Sequence, residues 1–325
     1  KRGPLYIRIA SSPNGYDWMY SMFIDDVVER PALRSQRHLV NTSIYENAAN
    51  LPLGYIERME SLYGEDLAKQ ELGGLFINIG VGQVYSAFVR EVHVRSDIAY
   101  DCDQPLYLGC DFNVSPMAWI VGQNKTIDGR LCDVAIDEII RQSPRPGVPQ
   151  TQSTVADFLA KYRHHRGYVY VYGDYYGTSQ STKTSKSDYD IIMDALRPVF
   201  RERVRLMVSD TATSSQVPGG VVNRVNLVNA RLRNVRGDVS AYVAPSCKEL
   251  IADLEQVAWK EFSGERKIDK TRDIKRTHAS DAWGYLLFGV NIARGTIAPS
   301  AVRRPAFDTT GFAPAPTRNN GDMWR

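Results

Sequence analysis

The chain has 325 residues, 43% hydrophobic and 24% charged, which is ordinary for a globular protein large enough to hold a substantial core. Its net charge of +3 excludes a globally basic protein, so any surface that binds nucleic acid must be a local patch. No apolar run approaches the ~18 residues of a membrane span and no signal peptide is present, so we expect no membrane association.

Residues 1–104 are predicted to form short helices and strand-like pieces. Residues 5–9 have the pattern of a strand, and the Ser-Ser-Pro-Asn-Gly sequence at 11–15 is a strong turn signal. Apolar residues at helical spacing predict a helix over 52–63, and strand patterns occupy 75–79 and 84–89. Because the chain does not begin with Met, we expect the natural protein to extend upstream of Lys1.

From about residue 105 the pattern predicts a three-stranded antiparallel meander over 106–110, 117–123 and 131–140, with a hairpin turn at Asp128-Gly129. Helices are then predicted over 154–164, 187–196, 221–232, 245–259 and 277–293, with strands at 168–172 and 203–208. This order predicts an α/β fold in which helices flank a mixed β-sheet, as in the ribonuclease-H-like arrangement. Residues 298–325, rich in Pro, Gly and Asn, are predicted to be a flexible tail.

Two predicted strands end in an aspartate, Asp111 in Leu-Gly-Cys-Asp and Asp174 in Val-Tyr-Gly-Asp. A carboxylate at the end of an apolar strand needs a partner, and two carboxylates at one sheet edge repel each other unless a cation lies between them. Mg²⁺ prefers such hard oxygen ligands. Each aspartate alone is also compatible with a turn or a helix cap.

The predicted last helix begins with His278 and Asp281, which lie three residues apart and therefore on one face. If this helix packs on the sheet, both side chains reach the edge that carries Asp111 and Asp174. Glu138, at the end of the third strand, is a possible accessory acid of the same cluster, although we favour its alternative role as an edge-strand charge.

These segments together resemble the nuclease domain of the large terminase, the DNA-packaging protein of tailed bacteriophages. The matching pieces are Gly109–Met117, Tyr172–Asp174, Ser187–Ile192, Arg224–Ala230, Cys247–Glu255 and His278–Ala282. The resemblance covers roughly residues 105–295, and residues 5–20 resemble the end of the family's ATPase domain. It implies a remnant of that domain and a linker at 1–104, the nuclease domain at 105–297 and the tail beyond.

By this resemblance the chain is an endonuclease that cuts concatemeric viral double-stranded DNA during genome packaging, using two Mg²⁺ or Mn²⁺ ions. Asp111, Asp174 and Asp281 are implied to be catalytic metal ligands, and His278 an accessory catalytic residue. The resemblance also implies the portal protein and the small terminase subunit as partners, in the host cell cytoplasm. The chain has no G-x-x-x-x-G-K-[ST] phosphate loop, so we expect no ATPase activity from it.

DNA binding requires basic side chains near these acids. The candidates are Lys270, Arg272, Lys275 and Arg276 before the last helix, and Lys183 and Lys186 after Asp174. A solvated charged face is the alternative interpretation of each. Two other functions remain open: a different ribonuclease-H-like enzyme, such as a Holliday-junction resolvase or a transposase, and a non-catalytic DNA-binding module.

Overall fold

A computed structural model describes residues 7–13, 18–76, 82–113, 115–143, 150–174, 177, 186–207, 220–260, 267–269 and 276–294. Its strands are β1 Leu106–Asp111, β2 Met117–Ile127, β3 Arg130–Arg141, β4 Val169–Gly173, β5 Val204–Leu206, β6 Ala241–Val243, β7 Trp259–Lys260 and β8 Lys267–Ile268. Its α-helices are α1 Trp18–Tyr20, α2 Asp26–Glu29, α3 Tyr55–Leu62, α4 Glu65–Glu71, α5 Arg90–His93, α6 Thr151–Tyr162, α7 Asp188–Phe200, α8 Gly220–Leu232, α9 Lys248–Gln256 and α10 His278–Ala293. Within these residues, no helix has the length and apolar character that crossing a membrane requires.

Six strands form one mixed sheet in the order β5-β4-β1-β2-β3-β6. The β1, β2 and β3 strands pair antiparallel, whereas β4 pairs parallel with β1 and β5 parallel with β4. The turn between β2 and β3 is the predicted one, because Asp128 and Gly129 both have positive φ, as a tight hairpin requires. The predicted ribonuclease-H-like mixed sheet is therefore confirmed. The short β6, parallel to β3, was not predicted.

Each face of the sheet is covered by helices. One face packs against α6 and α7, in a core that includes Trp119, Phe158 and Phe200. The other packs against α8, α9 and α10, in a core that includes Trp283 and Leu287. The α10 helix is buried along nearly its whole length, as expected of a helix that is apolar all round. It lies across β1, β2 and β4, and it therefore fixes whatever its first turn carries against the sheet.

The region before β1 differs in part from the sequence prediction. The helix predicted over 52–63 is confirmed as α3, but the strand predicted over 84–89 is wrong, because residues 84–87 form a turn. Val84, Tyr85 and Phe88 are buried for another reason: they pack into the same core as α8, α9 and α10. Residues 7–9 of the strand predicted at 5–9 lie in no regular element. The boundary at 104/105 stays a prediction, and the predicted tail at 298–325 lies outside the described residues.

Candidate metal-binding active site

The ends of β1 and β4 bring Asp111 and Asp174 side by side. The two strands run parallel, with Cys110 paired with Gly173, so the next residue of each strand is one of the two aspartates. Neighbouring strands lie about 4.8 Å apart, and residues at equivalent register positions face the same side of the sheet. Both carboxylates therefore lie on the side of the sheet that α10 covers.

Asp111 is buried and forms a small polar cluster with His278 and Asn113. Its Oδ2 atom lies 2.9 Å from Nδ1 of His278 and accepts a hydrogen bond of 3.1 Å from Nδ2 of Asn113. Burial raises the pKa of the Asp111 carboxyl, the hydrogen bond from His278 opposes that effect, and the negative charge of Asp281 reinforces it. Because both contacts fall on one oxygen, they orient the carboxylate, and among the described residues no side chain contacts its second oxygen.

Glycine lets α10 approach the sheet closely enough to reach Asp111. A Cβ atom on Gly109 would lie 2.3 Å from the backbone oxygen of Ala282 and 2.8 Å from Cβ of Leu286, so only glycine fits there. On the helix side of the same interface, a Cβ atom on Gly289 of α10 would lie 2.2 Å from the ring of Tyr172 in β4. Because the helix backbone sits directly on β1, its first turn places His278 and Asp281 beside the strand end.

Asp281 is buried and forms an ion pair with Arg224 of α8, whose Nη2 atom lies 2.5 Å from Oδ1 of Asp281. The guanidinium of Arg224 also lies over the ring of Tyr285, with its Cζ atom 4.2 Å from the ring centre. Burial lowers the pKa of Arg224, but the neighbouring Asp281, Tyr285 and Tyr85 more than offset this, so its pKa is raised. Arg224 therefore stays charged inside the protein.

The buried hydroxyl of Tyr285 is affected by the charges of all three aspartates. Burial raises the pKa of the Tyr285 hydroxyl, Arg224 opposes this, and the negative charges of Asp281, Asp174 and Asp111 add to it. All three carboxylates therefore belong to the electrostatic surroundings of Tyr285. Their role as one metal site stays a prediction.

The donor set suits a hard divalent cation, because Asp111 and Asp174 offer carboxylate oxygens from adjacent strand ends and burial disfavours the charged form of Asp111 unless a cation lies beside it. Among the described residues, the ligand oxygens of Asp111, Asp174 and Asp281 do not all lie within 4.8 Å of one another. A cation at Asp111 and Asp174 would therefore complete its coordination with water or phosphate, as Mg²⁺ commonly does.

The remaining sequence candidates have other surroundings. The carboxylate of Glu138 accepts hydrogen bonds of 2.9 and 3.0 Å from the backbone N–H groups of Glu249 and Leu250, at the start of α9. Arg276 lies 3.0 Å from Glu249 and 3.3 Å from Asp253. The exposed Nζ of Lys186 lies 2.7 Å from Asp194. Lys183, Lys270, Arg272 and Lys275 lie outside the described residues.

Three members of the site received no role from the sequence: Asn113, Arg224 and Tyr285. Asn113 follows Asp111 by two residues, and this closeness in sequence could have identified it as a neighbour of the carboxylate. Arg224 lies in a helix of mixed composition, where an arginine ordinarily marks the solvent face. Its burial depends on Asp281, 57 residues further along the chain, and no local pattern reveals such a pair.

No protein-family model matches the sequence, and no curated protein matches it. Among solved structures, the chain is similar to the large terminase from a thermophilic bacteriophage. The form in complex with ATP-gamma-S has a TM-score of 0.56 at 18% identity, over 85% of this chain and 61% of that one. The form in complex with ADP has a TM-score of 0.55 at 18% identity, over 85% and 60%. The chain thus matches about 60% of the length of these terminases. At this identity the comparison establishes a shared fold, so the resemblance to large terminases is confirmed at the level of the fold.

Proposed function

We propose that this chain is the nuclease part of a bacteriophage large terminase, a divalent-metal-dependent endonuclease that cuts concatemeric viral double-stranded DNA during packaging. The observation that supports the proposal is that β1 and β4 run parallel into Asp111 and Asp174, while the buried α10, which carries Asp281 in its first turn, packs against β1. The terminase fold supports the choice of family.

In this proposal Asp111, Asp174 and Asp281 would hold the metal ions. When bound, two Mg²⁺ or Mn²⁺ ions would supply the Lewis acidity that phosphodiester hydrolysis requires. His278 and Asn113 keep the Asp111 carboxylate in one orientation, through contacts of 2.9 and 3.1 Å to the same oxygen. The close contact of α10 with Gly109 fixes the first turn of the helix beside the end of β1. Lys186 and the basic residues at 270–276 and 183 are the proposed contacts to the DNA backbone.

The test is cleavage of supercoiled plasmid by the purified chain with Mg²⁺, with Mn²⁺ and with EDTA. Asp111→Asn keeps the shape of the side chain but removes its charge, and we expect it to abolish nicked and linear products. Asp157→Asn is the matched control, because Asp157 lies on α6, on the opposite face of the sheet, and pairs with Arg141. Cleavage that persists in EDTA or in Asp111→Asn would contradict the proposal.

The substrate separates this function from its alternatives. A terminase nuclease should cut linear duplex and plasmid, whereas strong preference for a four-way junction would indicate a resolvase, and joined strands a transposase. A shift in plasmid mobility without cleavage would indicate a DNA-binding module. Interaction with a portal protein and a small terminase subunit, and a location in the host cell cytoplasm, are parts of the same proposal. They rest on the match to about 60% of a large terminase.

A further inference from the structure

Tyr189 contacts the backbone of one candidate metal ligand from the face of the sheet opposite α10. Its side chain is buried in the core that α6 and α7 cover. Its hydroxyl donates a hydrogen bond of 2.9 Å to the backbone carbonyl of Asp174. The same carbonyl accepts the backbone N–H of Gly177 at 3.1 Å. The backbone of Asp174 is therefore tied both to α7 and to the residue three positions further along the chain.

The sheet holds the two aspartates at the strand ends in different ways. Asp111 is the last residue of β1 and is paired with Ala118 of β2. Asp174 lies one residue beyond β4, and the pairing of β4 with β1 ends at Gly173. The backbone of Asp111 is thus fixed within the sheet, whereas the backbone of Asp174 depends on contacts from outside it. This difference matters for a metal site, because its ligands must be held within about 0.5 Å of the productive geometry.

The packing around Tyr189 leaves the side chain little room to move. A Cβ atom on Gly173 would lie 2.7 Å from the Tyr189 hydroxyl and 2.7 Å from the carbonyl oxygen of Cys110, so the glycine lets the tyrosine reach the strand end. A Cβ atom on Gly177 would lie 2.7 Å from Cε2 of Tyr189. The Tyr189 ring also packs edge-on against Phe112, with the ring centres 4.8 Å apart. The hydroxyl is therefore held at the carbonyl that it binds.

The first turn of α7, which carries Tyr189, is itself anchored. A capping box of Ser187 and Asp190 begins the helix. The hydroxyl of Thr151, at the start of α6, donates a hydrogen bond of 2.5 Å to the carboxylate of Asp188. Burial raises the pKa of the Tyr189 hydroxyl, so the hydroxyl stays protonated and remains a donor. The contact with the strand end thus belongs to a fixed part of the helical layer.

We propose that Tyr189 is a positioning residue of the candidate metal site, which holds the Asp174 carboxylate where it can share a cation with Asp111. It acts through the backbone of Asp174 and touches neither the metal nor the DNA. The two aspartates are then fixed from opposite faces of the sheet, Asp111 by His278 of α10 and Asp174 by Tyr189 of α7. The inference rests on the proposed function, because it takes the aspartates at the strand ends as metal ligands.

The test is isothermal titration of the whole chain with Mn²⁺, in the wild type and in Tyr189→Phe. This variant removes one oxygen atom and keeps the ring against Phe112. We expect Mn²⁺ to bind about tenfold more weakly, since the loss of a group that orients a metal ligand typically has at least this effect. The Mn²⁺ concentration for half-maximal plasmid cleavage should rise by a similar factor. The loss of one hydrogen bond should lower the melting temperature by no more than about 4 °C, so the protein stays folded.

Tyr162→Phe is the matched control for this experiment. Tyr162 of α6 lies in the same core, and its hydroxyl donates a hydrogen bond of 3.0 Å to the carboxylate of Asp137 in β3, which is not a candidate metal ligand. The control loses a comparable hydrogen bond and should keep the wild-type affinity for Mn²⁺. If Tyr189→Phe does not fold, as judged by circular dichroism, Thr151→Val takes its place. It loosens the first turn of α7 and should also weaken Mn²⁺ binding.

The outcomes separate this inference from the proposed function. Unchanged Mn²⁺ affinity in the folded variant, Tyr189→Phe or its replacement, would overturn the inference. Equal losses of affinity in Tyr189→Phe and Tyr162→Phe would also overturn it, because the effect would then come from the core and not from Asp174. Absence of Mn²⁺ binding from both the wild type and Tyr162→Phe would instead refute the proposed metal site itself.

Discussion

Because α10 packs closely against the sheet, we predict that Gly109→Ala moves the first turn of α10 away from the ends of β1 and β4. The added methyl group would lie 2.3 Å from the backbone oxygen of Ala282, which belongs to a helix and cannot rotate away. It would also lie 2.8 Å from Cβ of Leu286. The helix must therefore move off β1, and the first turn that carries His278 and Asp281 must move with it.

The size of the effect follows from these contacts. Overpacking of a filled core costs about 1–3 kcal/mol, and a contact with rigid backbone belongs at the upper end, about 3 kcal/mol. In a domain of this size, 1 kcal/mol lowers the melting temperature by about 2–4 °C, so we expect a fall of about 6–12 °C. Mn²⁺ affinity should be affected less than cleavage, because Asp111 and Asp174 stay on the sheet.

Gly122→Ala is the matched control for this experiment. Gly122 faces the same helix from β2, but a Cβ atom there would lie 3.1 Å from a terminal methyl group of Leu286, which can rotate, and 3.2 Å from the Val134 carbonyl oxygen. We expect it to melt close to the wild type in thermal denaturation followed by circular dichroism. If Gly109→Ala melted within about 2 °C of Gly122→Ala, the proposed contact between α10 and β1 would be refuted.

Two further predictions concern positions away from the metal ligands. Glu138→Ala removes the carboxylate that accepts the first N–H groups of α9, and it should lower the free energy of unfolding by about 1–2 kcal/mol in chemical denaturation, while Glu138→Gln should lose less. An equal loss in both variants would contradict the capping role. Burial lowers the pKa of His93, whose Nδ1 accepts the N–H of Val89 and whose Nε2 faces the oxygen of Leu232. The unfolded chain therefore binds more protons, so stability should fall as the pH drops below about 6.5, and His93→Gln should reduce that fall.

The elements around the site were predictable because their signals are local. Asp111 and Asp174 were found since each ends a short apolar run, and the Asp128-Gly129 turn fixed how β2 returns along the sheet. The start of α7 is marked by a capping box, in which Ser187 and Asp190 bind each other's backbone N–H groups. Such features need only a few neighbouring residues, so the sequence is sufficient to place them.

What the sequence did not reveal depends on contacts between distant segments. The β6 strand has three residues, too few for a period, and it exists because it pairs with β3 more than 100 residues earlier. Arg224 is buried only because Asp281 lies opposite it. Residues 84–89 have an apolar pattern typical of a strand, yet 84–87 form a turn, and Val84, Tyr85 and Phe88 pack into the core beneath α8, α9 and α10. In each case the packing partner, rather than the local pattern, decides the structure.

The acidic residues around the sheet edge differ in the groups that donate hydrogen bonds to their carboxylate oxygens. Glu138 and Asp253 bind the protein's own backbone: Glu138 accepts N–H groups at the start of α9, and Asp253, on α9, accepts the N–H of Ser280 in α10 at 3.0 Å. Burial raises the pKa of Asp253 to about 6, so its ionised form depends on these donors and on Arg276. Each acid thus orients the next element, from β3 to α9 and from α9 to α10. Among the described residues, the side-chain contacts of Asp111 fall on one of its two oxygens. A carboxylate held in place for a cation should differ in this way from one that holds a helix.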